Sequence, residues 1–427
     1  MAESRILEHI SMDTQVPSNI AASYVIVGAG QAGRRAAETI KDLRPHADVL
    51  IIGDEDFLPY DRPALSKQIL LDEAEEKVAF VRSREFYESV GIRLLLGRSV
   101  VSIDRPAHCV HLSDGSVVAF EKLLLTTGSR ARRLACPIKE GAQVHYLRSL
   151  ADARALRKEM RGGRRIAILG GGFIGLEVSA AARSLNCDVT VIEPQERLLK
   201  RSLPDAVGSS IQRLHLSKGV RFLLGRIPLS VTTSGRHRGV VELDSGEVLA
   251  DVVIAGVGSQ PNIELAESAG LEVENGIVID SRCRTADPDI FAAGDVTVHF
   301  SKFHGRRVRV EAWQVAEYQS VIAAKNMLGD GQDYDETPWL WSDQYDWNVQ
   351  ALGSFDIPGE IHLRGSKDTN CFSVWNIGAQ GAVLAVAAVN CGRDVSIARR
   401  LIKENSRVNP SKLERRDLPI RECVAVD

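Results

Sequence analysis

Two stretches of the chain place glycines at the spacing G-x-G-x-x-G. They are Gly28, Gly30 and Gly33, with Gln31 and Ala32 between them, and Gly170, Gly172 and Gly175, with Phe173 and Ile174 between them. Glycines so spaced permit a tight turn, a close approach of backbone to a pyrophosphate, and the packing of the following helix on a sheet, so the implied chemistry is dinucleotide binding. Each unit also offers a carboxylate. Glu193 lies 23 residues after Gly170, where it can accept both hydroxyls of an adenosine ribose. In the first unit Gly53 occupies the corresponding place, and Asp54 is the candidate for that role.

Other residues suited to ligand work lie close to these loops. Pro59–Lys67 restricts its backbone with two prolines and sets Arg62 and Lys67 near the first loop, which favours an ordered, ligand-facing segment. Small residues close three apolar runs, at Thr126–Gly128 (with Thr127), at Gly256–Asn262 (with Gly258) and at Gly294, where Asp295 adds a carboxylate. Seven cysteines, Cys109, Cys136, Cys187, Cys283, Cys371, Cys391 and Cys423, are scattered without a C-x-x-C or a metal-ligand spacing, so reduced thiols without a ligand role are expected and no metal site is.

These residues need strand ends to hold them. The pattern predicts strands at Ser23–Val27 and Val49–Ile52 around a helix reaching Leu43, and short strands and hairpins over 92–120 with a turn at Asp114-Gly115. It predicts a strand at Leu123–Leu125, a helix over Arg148–Met160, and strands at Ile166–Leu169, Val189–Ile192, Val220–Leu224, Val240–Leu243 and Val248–Ala255. A strand at Ile290, a helix over Val315–Met327, and late strands at Pro338–Gln344, Cys371–Asn376 and Val383–Val389 complete the reading. One nucleotide unit is thus embedded in another, between Leu125 and Phe291. Two ligands brought together suggest transfer between cofactors.

At 427 residues the chain should form two or three domains, and with 44% hydrophobic and 26% charged residues it has an ordinary soluble composition. A formal charge of −3 provides no bulk attraction for nucleic acid or acidic membranes. Met1–Ala22 lacks a signal-peptide core and no apolar run is long enough to span a bilayer, which makes a cytoplasmic location the default expectation.

With Gly28–Gly33, Pro59–Lys67, Thr126–Gly128, Gly170–Glu177, Asp251–Asn262, Thr285–Asp295, Val308–Trp313 and Pro338–Gln344 in view, the chain resembles the FAD-dependent NADH:ferredoxin reductases of the putidaredoxin-reductase and aromatic-ring-dioxygenase type, from about Tyr24 to Asn390. The resemblance implies an α/β fold of two Rossmann-like domains in a glutathione-reductase-like arrangement, plus an α+β carboxy-terminal interface domain. It implies an FAD domain over 23–146 and 273–331, an NAD domain over 147–272, and an interface domain over 332–427, and leaves residues 1–22 as a flexible extension without an evident counterpart in the family. Gly28, Gly30, Gly33, Asp295, Arg62 and Arg130 would then serve FAD, Glu311 and Gly258 the nicotinamide side, and Lys67, paired with Glu177, the flavin N5. Trp313 and Trp341 would cover the flavin.

The implied activity is hydride transfer from NADH to FAD, then single-electron delivery to a [2Fe–2S] ferredoxin supplying a cytochrome P450 or Rieske-type oxygenase, by a monomer or weak homodimer. Acidic ferredoxins favour a basic face, for which Arg306, Arg307, Arg309, Arg393, Arg399, Arg400 and Lys403 are candidates. Glu193 favours NADH over NADPH, and Arg197 is placed to soften that preference. An NADH oxidase or quinone reductase, or a flavin-dependent signalling protein, is the alternative. The chain departs from the family at Val389-Asn390-Cys391-Gly392, where relatives commonly have Val-Asn-Arg-Pro, which puts partner docking and the packing of the last helix in question.

Overall fold

The structure, a computed structural model, describes residues 19–235 and 237–425. Its first sheet runs Ile92–Leu95, Val49–Ile52, Asn19–Val27, Val117–Leu125, Cys109–Leu112 and Val100–Asp104 in spatial order, with Ile290–Ala292 added beside Val117–Leu125. The central strands are parallel and covered on both faces, so their residues form unbroken apolar runs: all four of Val49–Ile52 are buried. The first strand starts earlier than expected. Asn19, Ile20, Ala21 and Ala22 pair with Val117 to Phe120, so residues 19–22 belong to the sheet and not to a flexible extension. The rest of that extension, 1–18, lies outside the described residues.

A second parallel sheet runs Arg221–Leu224, Asp188–Glu193, Arg165–Leu169, Val252–Ala255 and Val144–Tyr146. Two expected boundaries shift as a result. Val144–Tyr146 is an edge strand of this second sheet, so the first unit ends before it and not at residue 146. On the return, Ile263, Leu265, Ala266 and Leu271 pack in the core of the first sheet, so the second unit ends before residue 263 and not at 272. The run Val248–Ala255 also divides: Glu247–Ala250 joins a three-stranded antiparallel sheet, and Val252–Ala255 joins the parallel one. Asp251 marks the break, its Oδ1 accepting from Arg165 Nη2 at 2.7 Å.

The carboxy-terminal part is an antiparallel sheet of Trp339–Gln344, Trp347–Gly353, Val383–Val389, Phe372–Ile377 and Glu360–Gly365. One face shares a core with the second unit, Val349, Phe372, Val374 and Ala387 meeting Leu176, Leu198, Leu203 and Ile211. The other face carries the helix Gly392–Lys403 through Val395, Ala398 and Leu401, so the helix packs despite the loss of the proline. An arginine from later in the chain approaches Cys391. Arg416 Nη2 lies 3.1 Å from the Cys371 sulfur and 3.3 Å from the Cys391 sulfur, bringing together two thiols that are remote in sequence. Burial, first among several causes, pushes the Cys391 thiol up to about 11. Among the described residues, no helix is long and apolar enough to cross a membrane.

Candidate active site

The two glycine loops are built alike. Gly28 (φ 117°) and Gly170 (φ 114°) adopt a conformation that L side chains rarely take, and a Cβ there would collide with the Thr126 and Gly256 carbonyls. At Gly33 and Gly175 a Cβ would collide with the Gly28 and Gly170 carbonyls, so these glycines let helix meet strand. The middle glycines differ. Nothing lies within 4 Å of a Cβ built on Gly30 or Gly172, and each precedes a helix, Gln31–Leu43 or Phe173–Ser184, with no side-chain cap and no acid in its first turn. Open space before unsatisfied N–H groups suits a pyrophosphate, so both loops fit a dinucleotide.

Both loops open into one cavity of about 1650 Å³. A single small-ligand site typically occupies roughly 300–1,000 Å³, so this volume accommodates two extended ligands end to end. All the candidate site residues line it except Gly33 and Gly175, whose role is the helix–strand contact just described. Among the described residues, no cysteine lines it.

Glu177, on the helix that opens at Gly172, lines the cavity. Its Oε2 lies 3.0 Å from Lys67 Nζ and also accepts from Ser66 Oγ, while its Oε1 accepts from Ser342 Oγ at 2.6 Å. The side chains of Lys67 and Glu177 are only 15% and 4% exposed, so the pair is held largely out of water, with donors filling the carboxylate. Trp341 lines the same space and meets Trp313 edge to face at 5.5 Å. Trp339 stacks on Trp341 at 5.1 Å, and the Arg399 guanidinium lies 5.0 Å from the Trp339 ring. An aromatic row thus leads from the cavity to the late basic helix.

Several candidates have partners within the protein. Arg62 lines the cavity and donates to Glu55 at 2.7 Å and to the Arg148 carbonyl at 2.6 Å. Arg130 likewise bridges Asn262 and Glu264. Gln31 gives its side chain to Glu317 and Arg34, which leaves its backbone for the loop. Arg197 donates to the carbonyls of Leu198, Leu203 and Lys200 and does not line the cavity, whereas Arg201 does. Of the proposed basic face, Arg309 is turned inward to Glu311, with its side chain 10% exposed, and Arg307 is held by Glu272 and Glu274. Arg306, Arg393, Arg400 and Lys403 remain exposed.

The remaining candidates have the following surroundings. Glu193 Oε2 accepts from the Gly171 N–H at 2.7 Å and Oε1 from the Gln195 N–H at 2.8 Å, fixing the carboxylate at the rim of the second loop. Asp54 is exposed at the end of its strand. Asp295 Oδ2 accepts from Ser129 and, at 3.0 Å, from Arg148. Glu311 also accepts from Ser259. Thr127 and Asn262 exchange hydrogen bonds across Gly128. Sequence reasoning missed Ser66, Ser342, Arg148 and Arg201. Ser66 and Ser342 adjoin Lys67 and Trp341 in sequence, and that adjacency was the available signal; Arg148 carried none.

Two dinucleotide cradles meeting in one cavity beside a buried lysine–glutamate pair define a two-nucleotide flavoprotein oxidoreductase. Residues 22–320 match the pyridine nucleotide-disulphide oxidoreductase family, and residues 339–424 match the reductase C-terminal family. The chain belongs to the FAD-dependent NADH:ferredoxin reductases within this family. It is 50% identical over 390 residues to the ferredoxin–NAD(+) reductase component of an anthranilate 1,2-dioxygenase system from Burkholderia cepacia, covering 91% of this chain and 96% of that one. It is 38% identical to the corresponding component of a p-cumate 2,3-dioxygenase system from Pseudomonas putida, covering 93% and 98%. The structure of a covalent putidaredoxin reductase–putidaredoxin complex superposes with a TM-score of 0.90 at 33% identity, covering 94% and 98%.

Proposed function

We propose that this NADH:ferredoxin oxidoreductase delivers electrons singly to a small [2Fe–2S] ferredoxin that supplies a Rieske-type or cytochrome P450 oxygenase. The observation that carries the reading is the junction of two like-built dinucleotide loops in one cavity with Lys67, Glu177 and the tryptophan row. In this reading Gly28, Gly30, Gly33, Asp54, Thr127, Gly128, Gly294 and Asp295 hold FAD. Gly170, Gly172, Phe173, Ile174, Gly175, Glu193 and Gly258 hold NADH.

FAD, when bound, supplies the chemistry that couples a two-electron donor to a one-electron acceptor. The chain does the rest. Lys67 offers a cation to the redox-active edge of the ring system, and Glu177 holds that cation in place. Trp313 and Trp341 exclude water, and the row through Trp339 to Arg399 sets the face at which an acidic partner meets Arg393, Arg400 and Lys403. The domain plan that fits these roles gives the FAD domain 19–131 and 263–331, the NAD domain 144–259, and the interface domain the remainder of the carboxy-terminal part.

The test is anaerobic mixing of the FAD-loaded protein with NADH, followed by purified [2Fe–2S] ferredoxins, with flavin and cluster absorbance recorded. Bleaching by NADH and recovery on adding ferredoxin is the expected result. Absence of bleaching overturns the reading, and recovery by oxygen alone makes the protein an oxidase.

A further inference from the structure

The hydrogen bonds that end on Glu177 begin at a histidine on another helix. Ser342 Oγ, which donates to Glu177, accepts from Gln344 Nε2 at 3.0 Å, and Gln344 Oε1 lies 2.8 Å from His215 Nε2. His215 Nδ1 lies 3.5 Å from the Tyr345 hydroxyl. Ser66, Glu177, His215, Ser342 and Gln344 are all at most 5% exposed. His215 lies on the helix Asp205–Ser217, and Ser342 and Gln344 share one face of the strand Trp339–Gln344.

The carboxylate dictates the direction of every link. An ionised Glu177 only accepts, so Ser342 must spend its proton there and can only accept from its other neighbour. Gln344 therefore turns its amide nitrogen to Ser342 and its oxygen to His215. That oxygen needs a donor, so the His215 proton sits on Nε2, and Nδ1 is left to accept from Tyr345. Desolvation holds the imidazole down to about 4, so it remains neutral with this one proton position. A side chain that offers no donor at residue 215 would leave the buried Gln344 oxygen unpaired and free the amide to reorient, loosening Ser342 on Glu177.

We propose that His215 is a positioning residue for the Lys67–Glu177 pair, acting through Gln344 and Ser342 without touching either coenzyme. The proposal rests on the reading that Lys67 and Glu177 serve the bound flavin. It makes the contact between the second unit and the carboxy-terminal sheet part of the redox site, because the same strand carries Trp341 on its way past the cavity.

The test compares His215→Leu, which removes the donor, with His215→Gln, which restores an amide donor at similar reach. Ser342→Ala serves as a second break in the chain should the histidine variant fold poorly. Three quantities are read on FAD-loaded protein: the flavin midpoint potential, the visible circular dichroism of the oxidised flavin, and the anaerobic rate of reduction by NADH. His215→Leu and Ser342→Ala should change the potential and the dichroism and slow reduction between about 10- and 100-fold, the scale of a small misplacement of a reacting group. His215→Gln should recover most of this, and His215→Leu added to Lys67→Met should slow it little further. If both chain-breaking variants lose thermal stability but keep potential, dichroism and rate, His215 only ties two units together and the proposal is wrong. Lys67→Met separates the two failures. An unaltered rate in that variant removes the reading beneath the proposal, whereas a slowed Lys67→Met beside normal His215→Leu and Ser342→Ala removes the proposal alone.

Discussion

Among the described residues, Lys67 is the only charged donor on the Glu177 carboxylate, whose other partners there are the hydroxyls of Ser66 and Ser342. Lys67→Met preserves much of the apolar stem and removes the cation, while the Gly28–Gly33 loop proposed for FAD is untouched. FAD content should therefore be retained and reduction by NADH should slow about 100-fold, the scale for losing one preorganised electrostatic group; stopped-flow flavin absorbance measures it. Glu193 is the other residue with a single assigned task. Its carboxylate is fixed by the N–H groups of Gly171 and Gln195 and presents like charge to a 2′-phosphate, while Arg197 is engaged with backbone carbonyls and Arg201 is the cation that lines the same cavity. The wild type should prefer NADH, and Glu193→Ala should narrow the NADH-to-NADPH ratio of kcat/KM by about 100-fold, a like-charge contact of a few kcal/mol. An unchanged ratio would show that the preference is set elsewhere.

At the scale of elements, the glycine loops make a prediction in which position, not residue type, decides the outcome. Gly28 needs a positive φ and has no room for a Cβ, while Gly30 has ordinary backbone angles and open space before it. Gly28→Ala should thus lower the thermal midpoint of the FAD-free protein as well as FAD affinity. Gly30→Ala should leave that midpoint within a degree or so and weaken only FAD binding, since the added methyl stands where the ligand comes. Equal loss of apo-protein stability in both variants would contradict the cradle. The strands and helices around these loops were legible because parallel strands buried on both faces appear as continuous apolar runs, as in Val49–Ile52 and in the four residues Ile166–Leu169. The split of Val248–Ala255 was not, because hydropathy does not register a change of sheet, and only Arg165 reaching Asp251 shows where the chain turns. Cross-strand neighbours were equally hidden: Asp104, Cys109 and His111 bring their donor atoms within 4.8 Å through hairpin register, and Cys371 meets Cys391 through strand pairing. The partners of Arg62, Arg130 and Arg197 were missed because side-chain direction is not legible in the sequence. A cation near a phosphate loop in sequence is free for phosphate only if no carboxylate or carbonyl reaches it first.

For the whole molecule, acid stability follows from two buried histidines in different parts of the fold. His215 sits between the second unit and the carboxy-terminal sheet, and His299 lies in the strand Thr297–Ser301 against the Tyr334 ring. Desolvation holds both imidazoles down to about 4, and the nearby His304 adds to the effect at His299. In the unfolded chain each returns to roughly 6.5. Between these values the unfolded chain binds protons that the folded one refuses, so the histidine contribution is intact above about pH 6.5 and declines toward pH 4. The slope is about 1.4 kcal/mol per pH unit for each histidine. Carboxylates held low by arginine act in a separate window. Glu76, lowered chiefly by its hydrogen bond from Arg154, and Asp251, lowered chiefly by that from Arg165, stabilise the fold above their unfolded values near 4 and lose this only as pH falls further. Urea unfolding between pH 7 and 4.5 therefore reads the histidines almost alone. His145 and His304, also held low chiefly by burial, add to that slope, so His299→Asn should reduce it by about 1.4 kcal/mol per pH unit without abolishing it, whatever it does to stability at pH 7, because the asparagine has no proton to take up on unfolding. An unchanged slope would mean that the His299 ring is already solvated or charged in the folded protein.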